Sequence, residues 1–468
     1  MKRLKIGCLL VIGTIIFYQT SAQNKRLPNI IIIFADDLGY GDLSCYGHPT
    51  IRTPHIDSMA AAGMRFTQFY VGANVCTPSR AALLTGRLPV RYGVAGTDAR
   101  GVFFPNSANG LPQTEITIAK ALKSKNYQTG IIGKWHLGHL PQFLPPSHGF
   151  DYYFGIPYSN DMIPRGWPPL PIYRNKEVIE TNPDQSQLTK RYTEEAIGFI
   201  KKNKDKPFFL YYPNNFPHVP LHASKDFKGK SKRGLYGDVV SELDWSVGKI
   251  LNTLKELKLD KNTLVIFTSD NGPWLLMKQD GGSAGSLFEG KGSAYEGGMR
   301  VPAIAWWPGT IKPNQINEAL AATMDLFPTI LKLVSIELPK DREYDGQDIM
   351  PLLKNEKKQV RDIVYYYHRF ELYAIRKGPW KAHFITKPSY RKDVPATVHE
   401  TPILVNIEID PSEKYDVGKD HPDIVKDLRE EYEKRNASVK SAPNLLDSIY
   451  WKMGTPPKEW WKRAVNTN

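Results

Sequence analysis

The segment Pro28 to Asp37, with the sequence PNIIIIFADD, limits the possible folds more than any other stretch of the chain. Four isoleucines followed by Phe34 form a continuous apolar run, which is typical of a strand buried on both faces of a parallel sheet. Ligands of open α/β sheets bind beyond the carboxyl ends of the strands, which is where Asp36 and Asp37 are expected. Adjacent carboxylates there suit a hard cation, although a turn or a helix cap would also use acidic residues.

A second apolar run, Thr263 to Asp270, repeats this arrangement and ends in Asp270-Asn271-Gly272. If both runs are strands of one sheet, their polar ends meet at the same edge. Carboxylate and amide oxygens are preferred ligands of hard cations. The two runs together therefore predict a shared Ca²⁺ or Mg²⁺ site more strongly than either run alone.

The remaining apolar patterns predict an α/β domain followed by a smaller one. Helices are predicted within 53–63, 117–126, 192–200, 239–254 and 324–335, with further strands at 65–71, 129–133, 207–213 and 301–307. The Pro-, Gly- and Tyr-rich stretch 145–183 is predicted to form loops that line the walls of a binding site. After a charged junction at 354–359, strands are predicted at 362–368, 372–376, 380–385 and 404–409, with a helix at 422–437. The predicted units are a catalytic domain, 23–355, and a C-terminal subdomain, 356–468.

Residues 1–22 have the layout of a cleavable secretory signal. A basic start, Met1 to Lys5, precedes an apolar run from Ile6 to Phe17 and the small residues Thr20-Ser21-Ala22. The run is too short to cross a bilayer, so we expect an exported protein, periplasmic or secreted, without stable membrane insertion. Cys45 and Cys76 are the cysteines beyond this leader, too few for a disulfide framework.

The net charge of the chain limits the classes of possible binding partner but does not identify one. A formal net charge of +14 attracts polyanions such as nucleic acid or sulfated glycans. No basic run interleaved with aromatic residues favours nucleic acid, so we expect no nucleic-acid partner.

The motif Cys76-Thr-Pro-Ser-Arg80 predicts a nucleophile at the start of a helix. Pro78 fits a first helical turn, and the alanines and leucines that follow favour helix. The free N–H groups and the dipole of a helix start favour binding of an anion. The guanidinium group of Arg80 can donate two hydrogen bonds to the same anion. The alternative is that Cys76 is a small buried apolar residue, as most free cysteines are.

Four more candidates follow predicted strands or loops. In an extended segment Lys134 and His136 would project on one side, so that a single ligand meets both, although each alone is also typical of a surface. His218 stands between two prolines that restrain its backbone, which suits a positioned acid or base, although a solvated loop histidine is the alternative. Lys291 follows the glycine-rich loop 281–290 and is expected near the same rim.

These motifs resemble the type I sulfatases, with most similarity to the arylsulfatase A and N-acetylgalactosamine-6-sulfatase branch. The segments that carry the resemblance occur in family order over nearly the whole mature chain: NIIIIFADDLGYGD, CTPSRAALLTGR, GKWHLGH, HVP, FTSDNG, GKGSAYEGGMRVPAIAWWPG and DPSEKYD. The resemblance implies an alkaline-phosphatase-like α/β/α sandwich with a mixed central sheet. A small α+β domain with a four-stranded antiparallel sheet is implied to follow.

The resemblance also implies a cofactor and a maturation partner. In this family a maturation enzyme oxidises the motif cysteine, here Cys76, to formylglycine, and the hydrated aldehyde attacks sulfur. Asp36, Asp37, Asp270 and Asn271, together with modified Cys76, would hold one Ca²⁺ per chain.

Catalytic roles carry over to matching positions. Arg80, Lys134 and Lys291 would stabilise the sulfate as the ester bond lengthens. His218 would give a proton to the leaving sugar oxygen, with Lys291 as a second candidate. His136 would deprotonate the remaining hydroxyl, which expels sulfate and restores the aldehyde.

The predicted activity is exo-acting hydrolysis of sulfate monoesters of galactose or N-acetylgalactosamine, at O6 or O3, in sulfated glycans of the mucin, keratan or chondroitin type. A stacking Trp274 and polar wall residues are the candidate sugar contacts, unless they are ordinary loop residues: Asp98, Arg100, Ser159, Asn160, Asp161 and Trp274. Two other functions fit the same residues. One is hydrolysis of phosphate or phosphonate monoesters, and the other is binding of sulfated glycans without catalysis.

Overall fold

The isoleucine-rich segment forms the central strand of a large mixed sheet in the computed structural model, which describes residues 26–163, 166–391 and 393–456. The predicted leader, 1–22, lies outside the described residues. The strands of the sheet are β1 (Asn29–Ala35), β2 (Met64–Tyr70), β3 (Gln128–Ile132), β4 (Tyr152–Gly155), β5 (Pro171–Arg174), β6 (Glu177–Thr181), β7 (Phe208–Pro213), β8 (Thr263–Ser269), β9 (Arg300–Trp306), β10 (Gln315–Asn317) and β11 (Ala321–Ala322).

Their order across the sheet is β10-β2-β9-β8-β1-β7-β3-β4-β5-β6, and β11 pairs with β2. β1 runs parallel to both β7 and β8, whereas β9 is antiparallel to β2 and β8. The carboxyl ends of β1 and β8 therefore lie side by side, with Ala35 opposite Ser269. This register brings the two predicted ligand segments together.

Helices cover both faces of the sheet. The α-helices along the described chain are α1 (Pro54–Ala61), α2 (Cys76–Thr85), α3 (Ile118–Leu122), α4 (Leu188–Lys202), α5 (Leu235–Glu256), α6 (Glu296–Met299), α7 (Leu326–Leu333), α8 (Met350–Leu353) and, outside the main sheet, α9 (Pro422–Ser438). Alternate side chains of β1 point to opposite cores: Ile32 packs in the core that contains α2, α3 and α7, and Ile33 in the core that contains α1, α4 and α5. The predicted α/β/α sandwich is confirmed.

A separate antiparallel sheet lies near the C-terminal end of the described chain. Its strands follow one another in order: β12 (Ile363–His368), β13 (Glu371–Lys377), β14 (Trp380–Thr386) and β15 (Thr397–Asn406). Helix α9 packs on this sheet, where Leu428 shares a core with Ile375 and Phe384. The predicted four-stranded sheet is thereby confirmed, and the predicted junction at about 355 falls between α8 and β12.

Two local predictions are wrong. The stretch 145–183 was expected to hold loops, but it contains β4, β5 and β6, which extend the main sheet beyond β3. These strands are short and rich in tyrosine, proline and charged residues, so no long apolar run marks them. The last strand covers Thr397–Asn406 rather than 404–409, because its first half lies exposed, with Val398 76% exposed.

Among the described residues, we find no helix with the length and apolar character needed to span a membrane.

Candidate active site

Helix α2 begins at Cys76, and the whole helix is buried. Val75, in an extended conformation, caps its start, and Gly86, with φ 69°, ends it. The Thr77 hydroxyl donates to the His136 carbonyl at 2.8 Å and accepts from the Phe103 N–H at 3.2 Å, which fixes the first turn. Burial raises the pKa of the Cys76 thiol to about 11, so the thiol is neutral near pH 7.

Three buried carboxylates meet beside Cys76, where β1 and β8 end. Asp36, Asp37 and Asp270 each direct one oxygen into a group whose atoms lie within 4.8 Å of one another. Asp37, with φ 63°, donates its N–H to Asp270 Oδ1 at 3.1 Å and accepts from Asn271 Nδ2 at 2.7 Å. Burial and the neighbouring Asp36 raise the pKa of Asp270 to about 7.

This oxygen-rich group fits a divalent cation. Asp36 Oδ1 and Asn271 Oδ1 are buried and lack a hydrogen-bond partner within the described parts of the chain. Such orphaned acceptors need a countercharge or a donor, and an all-oxygen donor set suits Ca²⁺ or Mg²⁺. The predicted ligands Asp36, Asp37, Asp270 and Asn271 are thus brought together, with Cys76 adjacent.

Three basic side chains surround the carboxylates. Arg80 donates from Nε and Nη2 to Asp270 Oδ2 at 3.1 and 2.8 Å. Lys134 Nζ lies 2.5 Å from Asp36 Oδ2, and Lys291 Nζ lies 2.9 Å from Asp37 Oδ2. Burial raises the pKa of Asp36, but Lys134 and Arg80 outweigh it and hold that pKa well below its usual range.

His136 reaches the site by a route that the sequence did not indicate. We expected an extended backbone around Lys134 and His136, but His136 has φ 59°, in the left-handed region, so the same-side argument does not apply. Both side chains are nevertheless buried in the cluster, and Nε2 of His136 lies 3.0 Å from the Phe103 carbonyl. Burial and the nearby Lys134 hold the pKa of His136 well below its usual range, so the ring is neutral.

His218 is buried beside Asp37. Its Nδ1–H donates to the Val219 carbonyl at 2.5 Å, and its Nε2 lies 3.6 Å from Asp37 Oδ2. Burial and Lys291 lower the pKa of His218. Trp274 closes this side, with its ring centroid 5.4 Å from that of His218 and 4.6 Å from Lys291 Nζ.

The predicted sugar contacts divide into two groups. Ser159 accepts from Lys134 Nζ at 3.1 Å, and Trp274 packs on His218, so both adjoin the cluster. Arg100 instead donates to the Leu446 carbonyl and to Asn106, and the buried Asn160 donates to Gln185. The side chains of Arg100 and Asn160 are therefore engaged in hydrogen bonds within the protein. Asp161 is exposed.

Asp98 is contacted by residues from the C-terminal sheet that the sequence did not single out. His368 Nε2 lies 3.1 Å from Asp98 Oδ1, Arg369 Nε lies 3.7 Å from the same oxygen, and Lys387 pairs with Oδ2. His368 and Asp98 are 270 residues apart in the chain. The one local signal is a His-Arg pair between two predicted strands, and nothing in it indicates Asp98.

Comparisons with known proteins agree over most of the chain. The family model described as Sulfatase matches residues 28–336, and the model for the C-terminal region of aryl-sulfatase matches residues 359–462. Arylsulfatase A of Homo sapiens is 43% identical over 429 residues, which cover 84% of this chain and 83% of that protein.

Two further relatives support the same grouping. N-acetylgalactosamine-6-sulfatase of Canis lupus familiaris is 44% identical over 387 residues, covering 78% of this chain and 73% of that protein. Among solved structures, the PsFucS1 sulfatase from a Pseudoalteromonas species superposes with a TM-score of 0.81 at 30% identity, covering 90% of this chain and 92% of that one.

Proposed function

This chain belongs to the sulfatase family and is a sulfuric ester hydrolase, and from that premise we propose that it is an exo-acting carbohydrate sulfatase. We propose further that it uses formylglycine made from Cys76 and one Ca²⁺ per chain. The observation that carries the proposal is the convergence of the metal-type carboxylates, three basic side chains and two histidines on the buried start of helix α2.

Asp36, Asp37, Asp270 and Asn271 would hold the cation. Two of their oxygens, on Asp36 and Asn271, are buried without another partner in the described chain, which supports this assignment. When bound, a divalent cation supplies a fixed positive charge next to the developing negative charge of a sulfate ester. A bound cation would also offset the negative charge of this group, in which burial and then Asp36 raise the pKa of Asp270.

The state of Cys76 supports its modification. A nucleophilic cysteine acts as a thiolate, yet burial raises the pKa of this thiol to about 11. As an unmodified residue Cys76 would therefore be a weak nucleophile near neutral pH. Formylglycine supplies a hydroxyl nucleophile in its hydrated form, and a maturation enzyme would have to introduce it.

The basic residues would bind and orient the sulfate. Arg80 and Lys134 are fully buried and form ion pairs with Asp270 and Asp36. Burial lowers the pKa of Lys291, but Asp37 and other nearby anionic groups outweigh it, and the net pKa is raised far above its ordinary value. Lys291 therefore stays charged, which favours sulfate stabilisation over proton donation.

Two histidines would move the protons. The Nδ1–H of His218 is committed to the Val219 carbonyl, so Nε2 is the atom that would carry a proton to the leaving oxygen. A bound sulfate ester adds negative charge beside His218 and favours that protonated form. His136 is neutral and donates from Nε2 to Phe103, so Nδ1, which has no partner among the described residues, is its basic atom.

The substrate class rests on relatives and on burial. The name of one relative, N-acetylgalactosamine-6-sulfatase, points to galactose-type sugars sulfated at O6. The O3 position is proposed from the resemblance to the arylsulfatase A branch. Cys76 is only 2% exposed, which favours insertion of a terminal sugar over passage of an internal one. Trp274, beside His218, is a candidate to stack on the sugar. Export through the leader 1–22 and the domain boundary at 355 remain proposals.

Matched aryl esters test the reaction class. Properly matured enzyme should hydrolyse an aryl sulfate faster than the corresponding aryl phosphate and phosphonate, and Cys76→Ala and Cys76→Ser should be inactive. A tenfold preference for phosphate would support the phosphohydrolase alternative. Binding of a sulfated sugar without sulfate release would support the non-catalytic alternative.

A panel of monosulfated sugars tests the substrate. It contains galactose and N-acetylgalactosamine with sulfate at O3, O4 or O6, together with glucosamine-6-sulfate. The O6 or O3 galactose-type esters should be cleaved fastest, and only at the non-reducing end of an oligosaccharide. Fastest cleavage of the glucosamine ester, or release of internal sulfate from an untrimmed chain, would contradict the proposal.

A further inference from the structure

The turn between β12 and β13 brings charged residues of the C-terminal sheet next to the active-site loops. Arg369 lies in that turn, its guanidinium near Asp98, and Lys387 pairs with the same carboxylate. His368 joins Asp98 to Asn74 through its two ring nitrogens, at 3.1 and 3.2 Å. Asn74 is two residues from Cys76, so this group adjoins the nucleophile segment.

The group carries more positive than negative charge. Although burial opposes it, Lys387 and His368 lower the pKa of Asp98 to about 2, so Asp98 is ionised. Burial and Arg369 lower the pKa of His368 to about 4, so His368 is neutral near pH 7. Arg369 and Lys387 therefore face a single carboxylate, and one positive charge remains.

The guanidinium of Arg369 is held in place, but not all of its N–H groups have a hydrogen-bond acceptor. Its Nε and Nη1 are buried and make no hydrogen bond within the described residues. The backbone has φ 57°, a region that arginine seldom adopts and that hairpin turns of this length usually fill with glycine or asparagine. The guanidinium lies against Gly101, where an added Cβ would be 2.5 Å from Nη1. Because Nε faces Asp98, Nη1 is the buried N–H group of Arg369 that remains free to donate to an oxyanion.

We propose that Arg369, with Lys387, forms a second anion site that selects sugars carrying a carboxylate or sulfate in addition to the scissile sulfate. The inference rests on the proposed sulfatase function and specifies that the preferred substrate carries a second negative charge. Asp98 orients the two cations, since it lies 3.7 Å from Arg369 Nε and pairs with Lys387.

The test compares kcat/KM for three substrates: N-acetylgalactosamine-6-sulfate, its 4,6-disulfate, and a 6-sulfated chondroitin oligosaccharide with a neighbouring uronate. Wild-type enzyme should prefer at least one doubly charged substrate over the monosulfate by tenfold or more. The disulfate and the uronate distinguish a second sulfate from a carboxylate. In Arg369→Gln this ratio should fall about ten- to hundredfold, because charge-assisted hydrogen bonds are lost.

Two further variants separate this role from a structural one. Gly101→Ala places a methyl group against the guanidinium while it keeps Arg369, and it should lower the same ratio. Arg174→Gln is the matched control, since Arg174 also pairs with a carboxylate but lies on β5, with its side chain 47% exposed. Its ratio should equal that of the wild type.

Two results would overturn the inference. One is a wild-type enzyme that prefers the monosulfate or shows no preference. The other is an equal loss on all three substrates in Arg369→Gln and Gly101→Ala. If the wild type releases sulfate from none of the sugars nor from an aryl sulfate, the proposed function itself has failed. Sulfate release without a charge preference refutes only the second anion site.

Discussion

Replacing Glu296 with glutamine is expected to lower the free energy of unfolding by about 3–5 kcal/mol, the usual loss when one partner of a buried ion pair is removed. Glu296 is fully buried where helix α6 meets the C-terminal sheet. It accepts from the hydroxyls of Tyr70 and Tyr366 at 2.7 and 2.5 Å and from Lys381 Nζ at 3.2 Å.

The magnitude follows from the charges in this group. Arg376 and Arg300 lie 3.7 and 3.5 Å from Glu296 Oε2, so with Lys381 three cations face Glu296 and one further carboxylate, Glu413. Glutamine has nearly the same size but only one acceptor oxygen and no charge. The variant therefore leaves three cations, of which Arg376 and Lys381 are fully buried, with one carboxylate and at least one donor without its partner.

Urea denaturation of the full chain measures the effect, with Asp427→Asn as the matched control. Asp427, on α9, pairs with Lys377 of the C-terminal sheet. Because Asp427 is 54% exposed, loss of this ion pair should cost less than about 1 kcal/mol. The double variant Glu296→Gln/Lys381→Met removes one anion and one cation and should lose less than the sum of the single changes. Equal losses for Glu296→Gln and Asp427→Asn would refute the reasoning.

The effect should also depend on pH. Burial raises the pKa of Glu296, but Lys381, Arg376 and Arg300 outweigh it and hold the pKa far below its ordinary value of 4.5. A carboxyl with a depressed folded pKa stabilises the protein above its unfolded pKa and loses that contribution as the pH falls towards the folded pKa. The difference between wild type and Glu296→Gln should therefore be constant above about pH 5 and shrink below it.

Three further predictions concern the reaction. His218→Gln should lower kcat on sugar sulfates by about 10²–10⁴-fold, because a sugar oxygen needs a proton to leave, but should affect a nitrophenyl sulfate far less; equal losses on both would contradict the assignment. Chelation of divalent cations should abolish sulfate release and lower the melting temperature of the wild type, and added Ca²⁺ should restore both. In Asp36→Asn, added Ca²⁺ should not raise the melting temperature. Activity that survives chelation would show that no cation is required. His136→Ala should release one equivalent of alcohol per chain in a rapid-mixing assay and then stop, whereas steady turnover would show that His136 is not the base.

The parts of the site that follow long apolar runs could be predicted from the sequence. β1 and β8 each have a local pattern that ends in its ligands, and parallel pairing places those ends together. The motif at Cys76 likewise carries its own helix start. Local signals of this kind need no knowledge of distant contacts.

The rest depends on contacts between distant segments. β4 to β6 were not predicted because they are short strands at one end of the sheet, and their stability comes from pairing with β3 and with each other. The left-handed backbone of His136 could not be predicted from its residue type, because even histidine, which adopts this region more often than most residues, does so in a minority of cases. Nothing local links Asp98 to His368 across 270 residues, so the contact of Asp98 with the C-terminal sheet could not be predicted.

The mass of the tryptic peptide Phe66 to Arg80, taken from catalytically active enzyme, tests the central claim most directly, because this peptide contains Cys76 as its only cysteine. We predict a peptide in which the CH₂SH side chain has become CHO. The modified fraction should rise with the specific activity on an aryl sulfate as more maturation enzyme is coexpressed. An active enzyme whose peptide carries only unmodified cysteine would contradict this claim.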